Sequence, residues 1–240
     1  MPDELQLDDN PNPVVSAQAE SDAAATLTED LALAQLADPH LTPEKIEQIS
    51  RDASAIKSRK VRVALAAHQH TPRRIGLKLI RELYTFELMQ FAMTPAVPAD
   101  LKRAAEELLL SRVNAITLGE RISLARRSST AIAGALLLDK EQRVWQPALE
   151  NARLTEAAVV KALQRTTATP LFVETVSHHP KWSLRNEVQI ALLRSAHTPM
   201  AKAIEFARRV PPRQLRDILH ASRLPEAIKS YLRKEKEIGK

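Results

Sequence analysis

The sequence predicts an all-α fold, a right-handed α-solenoid of about five helical repeats that follows a disordered N-terminal tail. Two observations carry this prediction. The 240 residues include only four glycines and 3% aromatic side chains and are rich in Ala, Leu, Arg and Glu, a helix-forming composition. In addition, a short apolar segment that ends in Thr recurs along the chain, and a segment with helical apolar periodicity follows each copy.

The recurring segment is clearest in VRVALAAHQHTP (61–72) and VQIALLRSAHTP (188–199). A Thr in front of a helical segment suits the N-cap, and a Pro directly after it suits the first helical position, where no backbone donor is needed. We therefore interpret each Thr as the cap of the second of two antiparallel helices. The remaining copies begin at Thr42, Thr117, Thr155 and a divergent Leu224, and Glu120 would complete a capping box with Thr117.

Each repeat contains more than this pair of helices. We expect long first helices to begin near Ser58, Ala99, Glu141 and Lys181, at a spacing of about 41 residues. A shorter third segment follows the second helix at 85–93, 130–138, 169–176 and 212–219. Units of this length bury their apolar faces against their neighbours, which is the construction principle of an α-solenoid.

In its period the chain resembles the HEAT/armadillo class. The segments VRVALAAHQHTPRRIGLKLI and VQIALLRSAHTPMAKAIEF resemble, more particularly, the bacterial leucine-rich repeat variant units. The resemblance covers residues 29–238 in broken form, and it implies a helical solenoid without indicating a function. Some members of that family also carry a cysteine-ligated iron–sulfur module, which cannot be carried over to a chain that has no cysteine.

Charge divides the chain into two predicted regions. Residues 1–30 contain eight acidic and no basic side chains, whereas the whole chain has a formal net charge of +6, so the remainder carries +14. The first segment also has three prolines and little apolar mass to offset its ordering entropy. We therefore predict an acidic disordered tail at 1–28 and a basic α-helical repeat domain at 29–240.

A column of cations is the candidate functional feature. The position ten residues after the anchor holds a basic residue in the last five of the six repeats, and further cations surround the column; the first repeat has Asp52 there. One interpretation is structural, because a cation in the last turn of a helix interacts favourably with the helix dipole. The other is functional, since stacked repeats turn one position into a ladder on the concave surface that suits acidic peptides or phosphates. The predicted partner-binding residues are Arg81, Arg127, Arg165, Arg208, Lys234, Arg74, Lys78 and Lys202.

The predicted function is non-catalytic: a cytoplasmic scaffold that presents a basic concave ridge to an acidic protein segment. The alternative partner is nucleic acid, bound through its phosphate backbone by the +14 body. The scarcity of aromatic residues argues against single-strand recognition by base stacking, and no helix-turn-helix, zinc-finger or RNA-recognition signature is present. The oligomeric state is left open.

Other classes of function are expected to be absent. The longest apolar run, AIAGALLL (131–138), is too short for a membrane span, and no cofactor, metal or small-molecule site is expected. His70 and His197 precede the anchor Thr in matching repeats, which favours a role at the corner over metal binding. Alkylpurine DNA glycosylases built from HEAT-like repeats are an enzymatic alternative, and this alternative requires Trp145 and Trp182 to be exposed near Asp139.

Overall fold

The computed structural model describes residues 27–238, so the predicted tail lies outside the described residues except for Leu27 and Thr28. Within this range the chain forms sixteen α-helices and no β-strand, which confirms the all-α prediction. The helices are α1 (Glu29–Leu36), α2 (Pro43–Arg51), α3 (Ala53–Lys57), α4 (Arg59–Ala67), α5 (Arg73–Glu82), α6 (Thr85–Met93), α7 (Ala99–Arg112), α8 (Leu118–Arg127), α9 (Thr130–Leu136), α10 (Gln142–Leu149), α11 (Glu156–Gln164), α12 (Pro170–His178), α13 (Asn186–Arg194), α14 (Met200–Arg209), α15 (Pro212–His220) and α16 (Glu226–Ile238).

The helices pack in chain order. Every principal helix–helix contact joins two helices that are at most three positions apart in the sequence, as in α5 with α7, α8 with α10 and α11 with α13. The buried side chains form one continuous apolar core that extends from Ala32 in α1 to Leu232 in α16. None of the helices in residues 27–238 has both the length and the apolar character that crossing a membrane would require.

Three of the predicted helix caps are confirmed. The hydroxyl oxygens of Thr42, Thr117 and Thr155 accept the backbone N–H of the residue three positions later, at 3.5, 3.3 and 3.4 Å. At α8 the Glu120 carboxylate also accepts the backbone N–H of Thr117 at 2.9 Å, so the predicted capping box is present. These contacts satisfy amide groups that the first turn of a helix leaves without a partner.

At two of the three Thr-Pro anchors, Thr71 and Thr198, the predicted capping role is wrong. The helix begins two residues after Thr71 and two residues after Thr198, because the intervening proline takes the N-cap position. Both threonines are buried, and each hydroxyl donates to a carbonyl six residues earlier, at 2.5 Å to Leu65 and 2.6 Å to Leu192. The threonine therefore fastens the corner to the end of the first helix rather than capping the second.

Three of the four predicted starts of first helices are confirmed to within one residue, at α4, α7 and α10. The fourth is wrong, since α13 begins at Asn186 and not near Lys181. Residues 180–184 form a turn in which the Trp182 side chain is buried, and its indole N–H donates to the Leu149 carbonyl at 2.9 Å. The buried indole anchors this turn, and the helix begins only after it.

A polar side chain recurs at the corners in front of five of the predicted second helices, which are α2, α5, α11, α14 and α16. In each case it accepts the backbone N–H two residues later, at 2.8 to 3.4 Å. The pattern fixes the local turn in the manner of Asx and Ser turns. The residues are Asp38, His68, Asn151, Ser195 and Ser222.

Three of these corner side chains also bond a carbonyl that lies 26 to 30 residues earlier in the chain. His68 Nε2 donates to the Asp38 carbonyl at 3.0 Å, and Ser222 Oγ donates to the Leu193 carbonyl at 2.6 Å. The Asn151 amide nitrogen bonds the Ala125 carbonyl at 2.8 Å. Carbonyl groups in or near the ends of earlier helices are thus bonded by side chains that come much later in the sequence.

Candidate partner-binding surface

The predicted cation column lies at the ends of the second helices. Arg81, Arg127 and Arg208 lie in the last turns of α5, α8 and α14, and Arg165 is the residue directly after α11. Lys234 lies within α16. All five side chains are exposed, so each can contact solvent or a partner.

The carbonyls beside the column are bonded by other side chains. The Arg112 guanidinium, at the end of α7, donates to the carbonyls of Arg81 and Leu83, both at 2.7 Å. The Asn151 amide serves the end of α8 in the same way. Among the side chains that the structure describes, which are those of residues 27–235, Arg81, Arg127 and Arg165 form neither a hydrogen bond nor an ion pair.

The remaining predicted cations divide into two groups. Arg74 pairs with Glu47 at 3.0 Å, Lys202 with Glu205 at 2.8 Å, and Arg208 with Glu235 at 2.8 Å. Lys78 and Lys234 are exposed, and their ammonium groups contact no acid among the described side chains. The column therefore consists of unpaired cations interspersed with neutralised pairs.

Glu205 shows why the carboxylates of these ion pairs stay ionised. The hydrogen bond that Lys202 donates to its carboxylate lowers the pKa of Glu205, and the nearby charges of Arg209 and His178 act in the same direction. The carboxylate therefore stays ionised around neutral pH. It competes with any external anion for Lys202 and Arg209.

A pocket between α8 and α10 was missed by the sequence analysis. It is open to solvent, has a volume of about 550 Å³, and is lined by Arg126, Arg143, Gln146, Pro147 and Glu150. Both guanidiniums are exposed, and neither is engaged by another side chain in the part of the chain that the structure describes. The only sequence signal was an additional arginine beside Arg127, because Arg143 lies in the following helix at no repeated position.

One wall of this pocket is anchored by a histidine. The Nδ1 atom of His179 lies 3.1 Å from the backbone nitrogen of Lys181 and 3.4 Å from that of Trp182, so it accepts their N–H groups. The proton is therefore on Nε2, which lies 3.0 Å from Glu150 Oε1 and donates to it. The Glu150 carboxylate is held at the edge of the pocket by a buried imidazole.

The glycosylase alternative loses its stated requirement. Trp145 is 3% exposed and Trp182 is 1% exposed, so both are core residues, and Trp145 packs edge-on against the Phe172 ring. Asp139 is buried in an ion pair with Arg121 at 2.6 Å. Neither tryptophan is available to flank a flipped base.

The histidines have roles at the corners. His70 Nδ1 lies 3.2 Å from the Leu41 carbonyl oxygen and donates to it, as expected for a corner residue. In residues 27–238 there is no group of three or more His, Asp or Glu side chains arranged to hold a metal ion.

Comparison of the chain with models of protein families, with curated proteins and with solved structures finds no match.

Proposed function

We propose that the chain is a non-catalytic cytoplasmic scaffold whose basic surface binds an acidic segment of another protein. In this proposal the helices form a right-handed α-solenoid of about five HEAT/armadillo-like units that resemble leucine-rich repeat variant units. The packing of helices in chain order and the polar side chain that recurs at their corners support a repeat architecture. Such an architecture presents equivalent positions of successive units on one extended surface.

The observation that carries the proposal is that the Arg81 and Arg127 side chains form no hydrogen bond or ion pair with the described residues. If Arg81 and Arg127 served to cap their helices, their side chains would bond the terminal carbonyls. Arg112 and Asn151 bond those carbonyls instead. The two guanidiniums extend from the surface with their donors unused by the described residues, which suits the recognition of an external anion.

The distribution of acids favours a protein segment over nucleic acid. Glu47, Glu205 and Glu235 neutralise neighbouring members of the predicted set, so the positive charges are discrete and not continuous. A nucleic acid presents closely spaced phosphates, and these carboxylates would repel some of them. A peptide can instead have its acidic side chains only at the positions that face an unpaired cation. The buried tryptophans also remove the largest stacking surfaces.

The test is charge removal at two members of the column. We expect the Arg81→Gln/Arg127→Gln variant to bind a fluorescent peptide rich in Asp and Glu about tenfold more weakly than the unaltered chain does, because two charge-assisted hydrogen bonds are lost. Fluorescence anisotropy measures the affinity, and a thermal melt of the same variant measures stability.

The melt separates the two interpretations of the column. Since the side chains do not bond the helix ends, we expect the melting temperature to change little. Unchanged peptide affinity together with a fall of several degrees would contradict the binding role and favour interaction with the helix dipole.

A further inference from the structure

The pocket between α8 and α10 brings two arginines from different helices to one opening, Arg126 from the last turn of α8 and Arg143 from the first turn of α10. We propose that this pocket is a recognition site for a single carboxylate, an Asp or Glu side chain of the acidic segment that the chain binds. This inference rests on the proposed function, and it names the place and the chemical group through which the segment is held.

The unpartnered guanidiniums distinguish this pocket from others on the surface. A pocket of about 530 Å³ between α4 and α6 is also lined by two cations, but Arg59 pairs there with Glu87 at 2.7 Å and Lys60 with Glu29 at 3.2 Å. Its cations are already neutralised. Arg126 and Arg143 have no such acid among the described residues, so their donors are available to an external ligand.

The geometry of the guanidinium group suits a carboxylate. Its planar array of N–H donors matches the two oxygens of a carboxylate, and a bidentate contact of this kind fixes orientation as well as adding energy. The Gln146 side-chain amide lies on the same wall and offers a further donor. The half-buried Pro147 ring provides an apolar surface for the methylene groups of an incoming side chain.

Glu150 sets the charge that the pocket accepts. His179 Nε2 donates to the Glu150 carboxylate at 3.0 Å and holds it beside the two arginines. A ligand that displaced this carboxylate from the pocket would have to break that hydrogen bond. The lining carries two positive charges and one negative charge, a formal excess of one. A monoanionic carboxylate matches this excess, whereas a dianionic phosphate would be repelled by Glu150.

The first experiment tests the pocket by itself. The full-length chain is titrated with N-acetyl-glutamate methylamide, with its neutral glutamine analogue and with inorganic phosphate, while NMR follows the Gln146 side-chain amide and the Nε signals of Arg126 and Arg143. We expect saturable shifts with the glutamate compound in the millimolar range and none with the glutamine compound. Absent shifts, or tighter binding of phosphate than of the glutamate compound, would overturn the assignment to a carboxylate.

The second experiment tests the pocket within the segment-binding surface. We expect Arg126→Gln/Arg143→Gln to weaken binding of a labelled Asp- and Glu-rich peptide at least about tenfold, because the guanidinium–carboxylate bonds are lost. The matched control is Arg213→Gln/Arg216→Gln, which removes the same charge from two exposed arginines on α15 and should have little effect. Glu150→Gln keeps an acceptor for His179 and removes the negative wall, so it should strengthen binding severalfold.

Failure of the site and failure of the proposed function give different results. If the peptide binds the unaltered chain but both double variants weaken it equally, net charge alone governs binding and the pocket assignment is wrong. If Glu150→Gln leaves peptide affinity unchanged, the carboxylate does not lie in this pocket. If no acidic peptide binds while duplex DNA does, the proposed function fails and the carboxylate assignment fails with it, whatever the small-molecule titration gives.

Discussion

Single polar side chains at the corners join parts of the chain that are far apart in the sequence. His68, Asn151 and Ser222 each accept an N–H of their own turn and donate to a carbonyl that lies 26 to 30 residues earlier. These segments therefore share hydrogen bonds as well as an apolar core. The end of α8 is an example, because the Asn151 amide bonds the carbonyls of Ala125 and Ser128 there.

The Thr198 hydroxyl should contribute measurably to stability. Replacing Thr198 with Val keeps the β-branched shape and removes the 2.6 Å bond to the Leu192 carbonyl. Because the group is buried, we expect a loss of about 1 kcal/mol in the free energy of unfolding. Urea denaturation measures it, and Thr175→Val is the control, since the Thr175 hydroxyl bonds only the Leu171 carbonyl of its own helix. Equal effects at both sites would contradict the role assigned to the corner threonine.

At the scale of single residues, the sequence predicts the positions of the corners better than it predicts the hydrogen-bond partners of their side chains. The Thr anchors mark the starts of α2, α8 and α11 correctly, because a cap acts within four residues of the chain. The hydroxyls of Thr71 and Thr198 bond backward instead, although Thr42, which a proline also follows, caps its helix. The backward bonds of His68 and Asn151 span 30 and 26 residues and leave no local signal.

At the scale of the element, α8 combines a well-formed start with a functional end. Thr117 and Glu120 form the capping box, and Arg126 and Arg127 lie in its last turn. Both ends carry the charge that the helix dipole favours. The same helix contributes to the cation column and to the pocket against α10, so its position controls two parts of the candidate surface.

The capping box predicts how stability depends on pH. The backbone N–H of Thr117, followed by its hydroxyl, donates to the Glu120 carboxylate and lowers the pKa of Glu120 below 4.5. A lowered pKa in the folded chain contributes stability that is present above pH 4.5 and is lost as the pH falls through the lowered value. We expect Glu120→Gln to be less stable than the unaltered chain at pH 7. The two should be equally stable once the pH is below the lowered pKa of Glu120. A difference that persists in acid would show that charge is not the cause, and denaturant titrations at several pH values measure it.

Close packing of α5 on α7 gives a second prediction for an element. A methyl group at Gly76 would lie 2.8 Å from Cδ1 of Leu101, a buried residue of α7, whereas at Gly119 it would meet nothing within 4 Å. We expect Gly119→Ala to stabilise by about 0.5 kcal/mol through helix propensity. Gly76→Ala should destabilise by about 1 kcal/mol because overpacking outweighs that gain. Thermal melts compare the two, and equal stabilisation would contradict the close contact.

Element boundaries are predicted well where the chain gives a local signal. The third segments match α6, α9, α12 and α15 to within two residues at either end, since prolines, serines and threonines punctuate them. The start of α13 fails because Trp182 is drawn into the core, where its indole N–H reaches the Leu149 carbonyl. Burial of that ring is a tertiary effect that no local pattern announces.

At the scale of the whole molecule, charge separates along the chain. Residues 1–26 carry six acidic and no basic side chains, whereas residues 31–240 carry a net charge of +14. We hypothesise that the acidic N-terminal segment competes for the basic surface, because tethering raises its local concentration into the millimolar range. The segment lies outside the described residues, so the hypothesis rests on charge.

Deleting residues 1–26 tests this competition. We expect the shortened chain to bind a labelled acidic peptide severalfold more tightly than the full-length chain does. The ratio of the two affinities should be larger at low salt, because added salt screens the attraction between the acidic segment and the basic surface. A control chain that keeps the segment but replaces its six acids with Asn and Gln should match the shortened chain. Anisotropy measures all three, and identical affinities would contradict the competition.

The sequence predicts one part of the candidate site, the cation column, but not the pocket between α8 and α10. The column is predicted because Arg81, Arg127 and Arg165 each lie ten residues after an anchor Thr. The pocket is not, because the proximity of Arg126 and Arg143 arises from the packing of α8 on α10 and not from their spacing in the chain. The division of the cations into paired and unpaired members likewise requires the neighbouring helices to be in place.

The most direct measurement of the central claim compares two polyanions on the unaltered chain. A labelled Asp- and Glu-rich peptide and a labelled duplex DNA are titrated in parallel by anisotropy at about 50 and 200 mM salt. The account predicts that the peptide binds at both salt concentrations and that the DNA binds more weakly, with an affinity that falls by orders of magnitude between them. Tighter binding of the DNA at 200 mM salt, or no binding of the peptide at 50 mM, would contradict it.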